Sequence, residues 1–88
     1  MVTVYVLESL VAEKWYVGMT ENIRNRLKEH NSGRSKFTSG YKPWRIIYTE
    51  NVTDFSEGRK REKYLKTFAG KKFVQKQIEG GITGSLPA

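Results

Sequence analysis

The chain has no cysteine, and it is poor in acid: nine Asp and Glu stand against 16 Lys and Arg. Each scarcity removes options. Without cysteine there is no disulfide and no thiolate metal site. A cysteine-free chain without a signal-peptide pattern is expected in a reducing, cytoplasmic compartment. Long apolar runs are missing too. The apolar stretch at 2–6 is far too short to span a bilayer and lacks a basic flank, so it reads as a strand. The 88 residues suffice for one compact domain with a modest core.

What is present is positive charge, and its placement matters. The net charge is +7. The segment 59–76 alone carries that excess: Arg59, Lys60, Arg61, Lys63, Lys66, Lys71, Lys72 and Lys76 against the single acid Glu62. A second basic block, 24–45, contains one acid, Glu29. Such blocks point to a polyanion, and nucleic acid is the expected partner. A membrane surface is disfavoured, because neither basic segment pairs its charge with a broad apolar face.

Residues 3–7 are rich in β-branched and aromatic side chains and read as a strand, apolar on both faces and so central in its sheet. A second strand at 14–18 is close enough to pair with it as a hairpin. Gly18 ends that strand and marks a turn or a close approach. Thr20 is the expected N-cap of a helix at 21–30, where Ile23, Arg26, Leu27 and His30 share one face. A basic loop spans 31–43, and a third strand 44–49. Asp54 and Glu57 resemble a capping box for a helix at 55–68, with Gly58, Arg61, Glu62, Leu65, Phe68 and Ala69 inward. Gly58 is read as permitting close packing and Gly70 as a helix stop. A short helix at 71–78 turns Phe73, Val74, Gln77 and Ile78 inward. The domain is thus 1–79, with a flexible tail at 80–88. The order β-β-α-β-α-α predicts an α/β chain of α+β type, a small three-stranded antiparallel sheet flanked by helices.

Several polar residues fall on these apolar faces, where charge is costly unless paired or used. They are Arg26 and His30 on the first helix, Arg61 and Glu62 on the second, and Tyr5 and Tyr16 on the paired strands. A cation, a carboxylate and proton-handling groups are what phosphodiester hydrolysis requires. Water must be deprotonated, the phosphoryl oxygens stabilised and the leaving oxygen neutralised. An arginine fork suits phosphate, one carboxylate can hold Mg²⁺ or Mn²⁺, and a tyrosine base needs a nearby cation. Each residue also has a plainer reading. The tyrosines can be core, Arg26 an ion-pair partner of Glu62, and His30 either a helix C-terminal cation or a group orienting a tyrosine hydroxyl. Trp15, Trp44, Phe68 and Phe73 read as core. Arg34, Lys36 and Tyr41 in the loop suit backbone contact, largely independent of sequence.

Val4-Tyr5-Val6, followed by Tyr16-Val17-Gly18, resembles the paired motif of the GIY-YIG nucleases. The likeness continues through Arg26, His30 and Asn31, through Lys42-Pro43-Trp44, and on to Arg61-Glu62-Lys63. It covers most of the chain and looks closest to the small stand-alone branch, related to the nuclease domain of the bacterial excision-repair excinuclease. The resemblance implies a metal-dependent DNA endonuclease with a link to DNA repair. Arg26 would stabilise the scissile phosphate, Glu62 hold one Mg²⁺ or Mn²⁺, and Tyr5 or Tyr16 act as or assist the general base. His30 would hydrogen-bond within the site. Gly18 would let the backbone come close, with Arg34, Lys36, Tyr41, Lys42 and Lys63 as further contacts. The chain departs from the pattern at Val4, where the motif has glycine, and at Met19, where some relatives have lysine. It also has no asparagine after Asn51. Those departures motivate a second reading, a nucleic-acid-binding module with the same fold and little or no catalysis.

Overall fold

The computed structural model describes residues 1–34 and 36–84. Strands β1 (Val2–Ser9), β2 (Trp15–Thr20) and β3 (Trp44–Val52) form one antiparallel sheet in the order β2-β1-β3. Helices α1 (Ile23–Ser32), α2 (Phe55–Leu65) and α3 (Phe68–Gly84) flank it. The expected element order and the central place of β1 are both found. No helix among the described residues is long and apolar enough to cross a membrane.

Side-chain alternation along β1 splits the core in two. Val4 and Val6 face one way, into a cluster with Val17, Leu65 and Val74 under α2 and α3. Tyr5 and Leu7 face the other way, with Trp44, and Ile23 and Leu27 of α1 pack against them. The candidate tyrosines and α1 therefore share a face. A bulge in β3 completes this division. Val6 pairs with Tyr48 but Leu7 with Ile46, leaving Ile47 as an extra residue. The bulge lets Ile47 and Tyr48 both pack under α2 and α3 and moves Trp44 to the Tyr5 face.

All three helices start on a side-chain oxygen that accepts from the third backbone N–H. The pairs are Asn22 with Asn25 at 3.1 Å, Asp54 with Glu57 at 2.9 Å and Thr67 with Gly70 at 3.0 Å. The cap of α1 is thus Asn22 rather than Thr20. Thr20 Oγ1 instead accepts from the Asn22 N–H at 3.1 Å and fixes the chain entering the helix.

The largest departure from the sequence reading is at the second helix. It ends at Leu65 rather than Phe68, and Gly70 lies in the first turn of α3 rather than at a stop. A Cβ at Gly70 would run into the Tyr64 carbonyl oxygen and come within 2.6 Å of Leu65 Cα. Glycine is there because one helix starts on the last turn of the other. The break also turns Phe68 outward, 77% exposed, and leaves Ala69 and Gln77 exposed, so these three are not core. Gly58 does serve close packing: a Cβ there would lie 2.8 Å from Met19 Sδ. Of the tail expected at 80–88, residues 80–84 continue α3, and 85–88 lie outside the described residues.

Candidate functional site

Tyr5, Tyr16, Arg26 and His30 meet on the α1 face of the sheet. Register places Tyr5 opposite Gly18 and Leu7 opposite Tyr16. The Tyr16 ring lies 6.3 Å from that of Tyr5 and 4.8 Å from the His30 imidazole. Gly18 does not end β2; it sits within the strand, where a Cβ would come within 2.6 Å of the Tyr5 hydroxyl oxygen and 2.9 Å of Tyr16 Cε2. The missing side chain makes room for both rings. Gly18→Ala should cost about 1–3 kcal/mol, the range for overpacked cores, measured by urea denaturation. A neutral result would contradict the tight fit.

A buried polar chain runs inward from Tyr5. Its hydroxyl lies 3.0 Å from His30 Nε2, and His30 Nδ1 lies 2.9 Å from Thr38 Oγ1. The Thr38 carbonyl accepts from Trp44 Nε1 at 2.8 Å. His30 and Thr38 are fully buried. Burial, helped by the nearby Arg26 charge, holds the His30 pKa below its ordinary value. His30 is therefore a neutral hydrogen-bonding relay and not a cation for the end of α1. That helix ends instead on Gly33, whose φ of 84° is left-handed and whose N–H bonds to the Glu29 carbonyl.

This sets a sign for pH dependence. The folded pKa lies below the unfolded one, so the unfolded chain binds the extra proton. Stability is full above the ordinary histidine range, near 6.5, and falls as pH drops through the depressed folded value. Chemical denaturation between neutral and mildly acidic pH should show that fall, and His30→Gln should flatten it.

Burial also pushes the Tyr5 hydroxyl up to about 12, against an opposing hydrogen-bonding pull from Arg26, with Tyr16 and Glu62 adding to the rise. Tyr5 thus stays protonated at neutral pH. Glu62, on α2, contributes only through its charge and makes no hydrogen bond to Tyr5. Tyr16 is only half-buried, so it is the more accessible residue of the two.

Arg26 does not pair with Glu62. Its Nη1 donates to Glu29 Oε1 at 2.7 Å, one helical turn away, and this raises its already high pKa. Glu29, the one acid of the basic block 24–45, stands three residues from Arg26, an ordinary helical pairing. The Arg26 side chain remains 36% exposed and lines a groove with Met19, Thr20 and Phe55. A guanidinium carries five N–H donors, so a two-pronged phosphate contact remains open to it. Glu62 is 22% exposed and pairs with Lys66 at 3.4 Å.

Arg61 belongs elsewhere. It donates through Nη2 to Glu50 at 3.1 Å and through Nε to the same carboxylate, while Tyr48 donates to Glu50 at 2.6 Å. Its guanidinium also lies over the Tyr64 and Phe73 rings. This set ties β3 to α2 and α3.

A profile of the GIY-YIG catalytic domain matches residues 1–75. The chain belongs to the GIY-YIG family. A UPF0213 protein of Syntrophus aciditrophicus is 40% identical over 65 residues, covering 72% of this chain and 74% of that one. A UPF0213 protein of Clostridium perfringens is 38% identical over 64 residues, 72% of this chain and 68% of its own. The solution structure of the UPF0213 protein BH0048 from Bacillus halodurans matches with a TM-score of 0.51 and 30% identity, over 98% of this chain and 90% of that one.

Within the GIY-YIG frame, the motif departures have structural reasons. Val4 is fully buried under α2 and α3, on the opposite face from Tyr5. The change from the motif's glycine there is a packing change away from the site. Met19 packs against the same cluster and against Gly58, so it brings no cation to the Arg26 groove. Asn31 takes a structural role: its side chain donates to the Trp44 carbonyl at 3.2 Å and accepts from the Trp44 N–H at 2.6 Å. Of the expected backbone contacts, Arg34, Lys36, Lys42 and Lys63 are exposed. Tyr41 is half-buried against Trp44, and Gly18 is buried.

Among the described residues there is no cluster of three or more His, Asp or Glu that could hold a metal. Hard cations of the magnesium type keep most of their waters and need only one or two carboxylates. Glu62, half-buried and engaged by a single lysine, fits that donor requirement.

Proposed function

We propose that this chain binds nucleic acid, with DNA as the expected partner, through the surface around Arg26 and Tyr16, and cleaves it slowly or not at all. One observation carries the reading: Arg26 is accessible on an open groove that it shares with Asn22, Asn25 and the acids Glu21 and Glu29, with donor capacity for phosphate left over from Glu29. Binding asks for no more than that cation and the net positive charge of the chain. Hydrolysis asks for a base as well, and Tyr5 is buried with its pKa pushed up to about 12. No lysine stands at Met19 to help it.

Labelled DNA titrated with the protein should show affinity that falls steeply with salt. Arg26→Ala should weaken it about ten- to hundredfold, the loss of a charge-assisted contact worth roughly 1.5–3 kcal/mol. No binding at low salt would overturn the proposal.

A second reading, a metal-dependent endonuclease, is favoured by the grouping of Tyr5, Tyr16, Arg26 and His30 on one face, with Glu62 among the charges that bear on the Tyr5 hydroxyl. In it Arg26 holds the scissile phosphate. Tyr16 orients the attacking water, with its own ring positioned by His30. Glu62 holds one Mg²⁺ or Mn²⁺, which when bound supplies positive charge for the developing oxyanion. Nicking of DNA in Mg²⁺ or Mn²⁺ that disappears in Glu62→Ala would establish this reading in place of the first. A role in DNA repair is part of this second reading.

A further inference from the structure

The sequence presents the bases at 59–76 as one block, but the fold distributes them over different surfaces. Arg59, Lys60 and Lys63 line a depression on the outside of α2 with Phe55. Lys72 and Lys76 line another on α3, beside Phe73. Lys66 and Lys71 turn a third way. They line an open groove of about 440 Å³ together with Lys14, Trp15 and Tyr16, and with one acid, Glu13.

Three features recommend that groove. Its lysines come from three places in the chain: the approach to β2, the end of α2 and the first turns of α3. Two of them rest on aromatic faces, Lys14 over Tyr41 and Lys71 over Trp15, each 5.2 Å from the ring centroid, as Lys72 on α3 rests over the exposed Phe68 at 5.3 Å. Lys66 is tethered to Glu62 at 3.4 Å. Charges positioned in this way lose less freedom on meeting an anion than free lysines do. The groove also shares β2 with the Arg26 groove. One borders residues 14–17 and the other Met19 and Thr20, with Gly18 between them. β2 is an edge strand, so among the described residues no further strand covers this path.

We propose that one backbone strand of the bound nucleic acid runs along the β2 edge, from Arg26 past Tyr16 and out over Lys14, Lys66 and Lys71. This rests on the nucleic-acid-binding reading above and names the side on which the strand leaves the site. The partner is a phosphodiester chain, because the groove offers spaced cations and aromatic flanks rather than a closed pocket for a small molecule. The α3 lysines Lys72 and Lys76 take no part.

The experiment compares two sets of substitutions at exposed positions. One variant is Lys14→Ala/Lys66→Ala/Lys71→Ala, the other Lys72→Ala/Lys76→Ala. Each, with the wild type, is titrated into a short labelled DNA oligonucleotide over a range of KCl concentrations. The first set should reduce the slope of log affinity against log salt by about one per lysine. The second should leave the slope as in the wild type. Equal loss per lysine in both sets would show a diffuse positive field and overturn the track. So would a first set that binds like the wild type. A wild type with no salt-dependent binding would overturn the underlying reading itself, which is a separate outcome.

Discussion

Gly70→Ala should destabilise the fold by about 3 kcal/mol or more, at or above the upper end for overpacking. The added methyl would meet the Tyr64 carbonyl oxygen and Leu65 Cα, which are backbone atoms and cannot turn aside as a side chain would. Relief would require α3 to pivot away from α2. That motion would open the cluster of Leu65 and Val74, both buried against the sheet. For a domain of this size the melting temperature should fall by roughly 12–24 °C. Gly40→Ala is the control, because a Cβ there meets nothing within 4 Å. Equal melting temperatures for the two variants would contradict the tight helix junction.

Removal of His30 should rank next. His30→Ala would strip partners from two buried hydroxyls, those of Tyr5 and Thr38, and leave a cavity in the middle of the α1 face. Each unsatisfied buried group costs roughly 1–3 kcal/mol and the cavity adds to that, so a loss of about 3–5 kcal/mol is expected. Tyr5→Phe should cost less, about 1–2 kcal/mol, since it removes one member of the chain and retains the ring. Combined, the two substitutions should cost clearly less than their sum, with an interaction of about 1 kcal/mol or more in a double-mutant cycle. Additive effects would mean that the Tyr5–His30 hydrogen bond contributes nothing. The same variants separate structure from binding: Tyr5→Phe should retain nucleic-acid affinity, whereas Arg26→Ala should lose it while retaining stability.

Much of the architecture was legible in the chain, for identifiable reasons. The β-branched run around Val4 and Val6, apolar on both faces, predicted a central strand, and β1 lies between β2 and β3. The spacing of Ile23, Arg26, Leu27 and His30 placed a cation and an imidazole on the inner face of α1, where both are found. Less was legible where a residue answers to a distant contact. Gly70 reads locally as a helix stop, yet its cause is a neighbouring carbonyl. Phe68 reads as core on a continuous helix, yet the break after Leu65 turns it outward. The bulge at Ile47 leaves no local signature, although it puts Trp44 on the Tyr5 face. Thr38 looked like an ordinary loop residue. Only the fold shows it buried and bonded to His30.

The grouping of Tyr5, Tyr16, Arg26 and His30 on one face was legible in the sequence, but their partnerships were not. Arg26 and Glu62, the two opposite charges expected at its centre, each take a nearer helical neighbour, Glu29 and Lys66. Short-range pairing along a helix competes with pairing across the sheet. Both pairs are partly exposed, and such pairs are worth little, so a phosphate can exchange for either carboxylate at small cost. In the proposed binding mode, such a face would accept an anion without rearranging the core beneath it.

Nucleic-acid binding at this face is tested most directly by backbone amide NMR. A short DNA oligonucleotide titrated into isotope-labelled protein at low salt should shift resonances along β2, in the first turns of α1 around Arg26, and around Glu62 and Lys66. The outer face of α3 at Lys72 and Lys76 should remain still. Shifts centred on α3, or none at all, would contradict the assignment of this face.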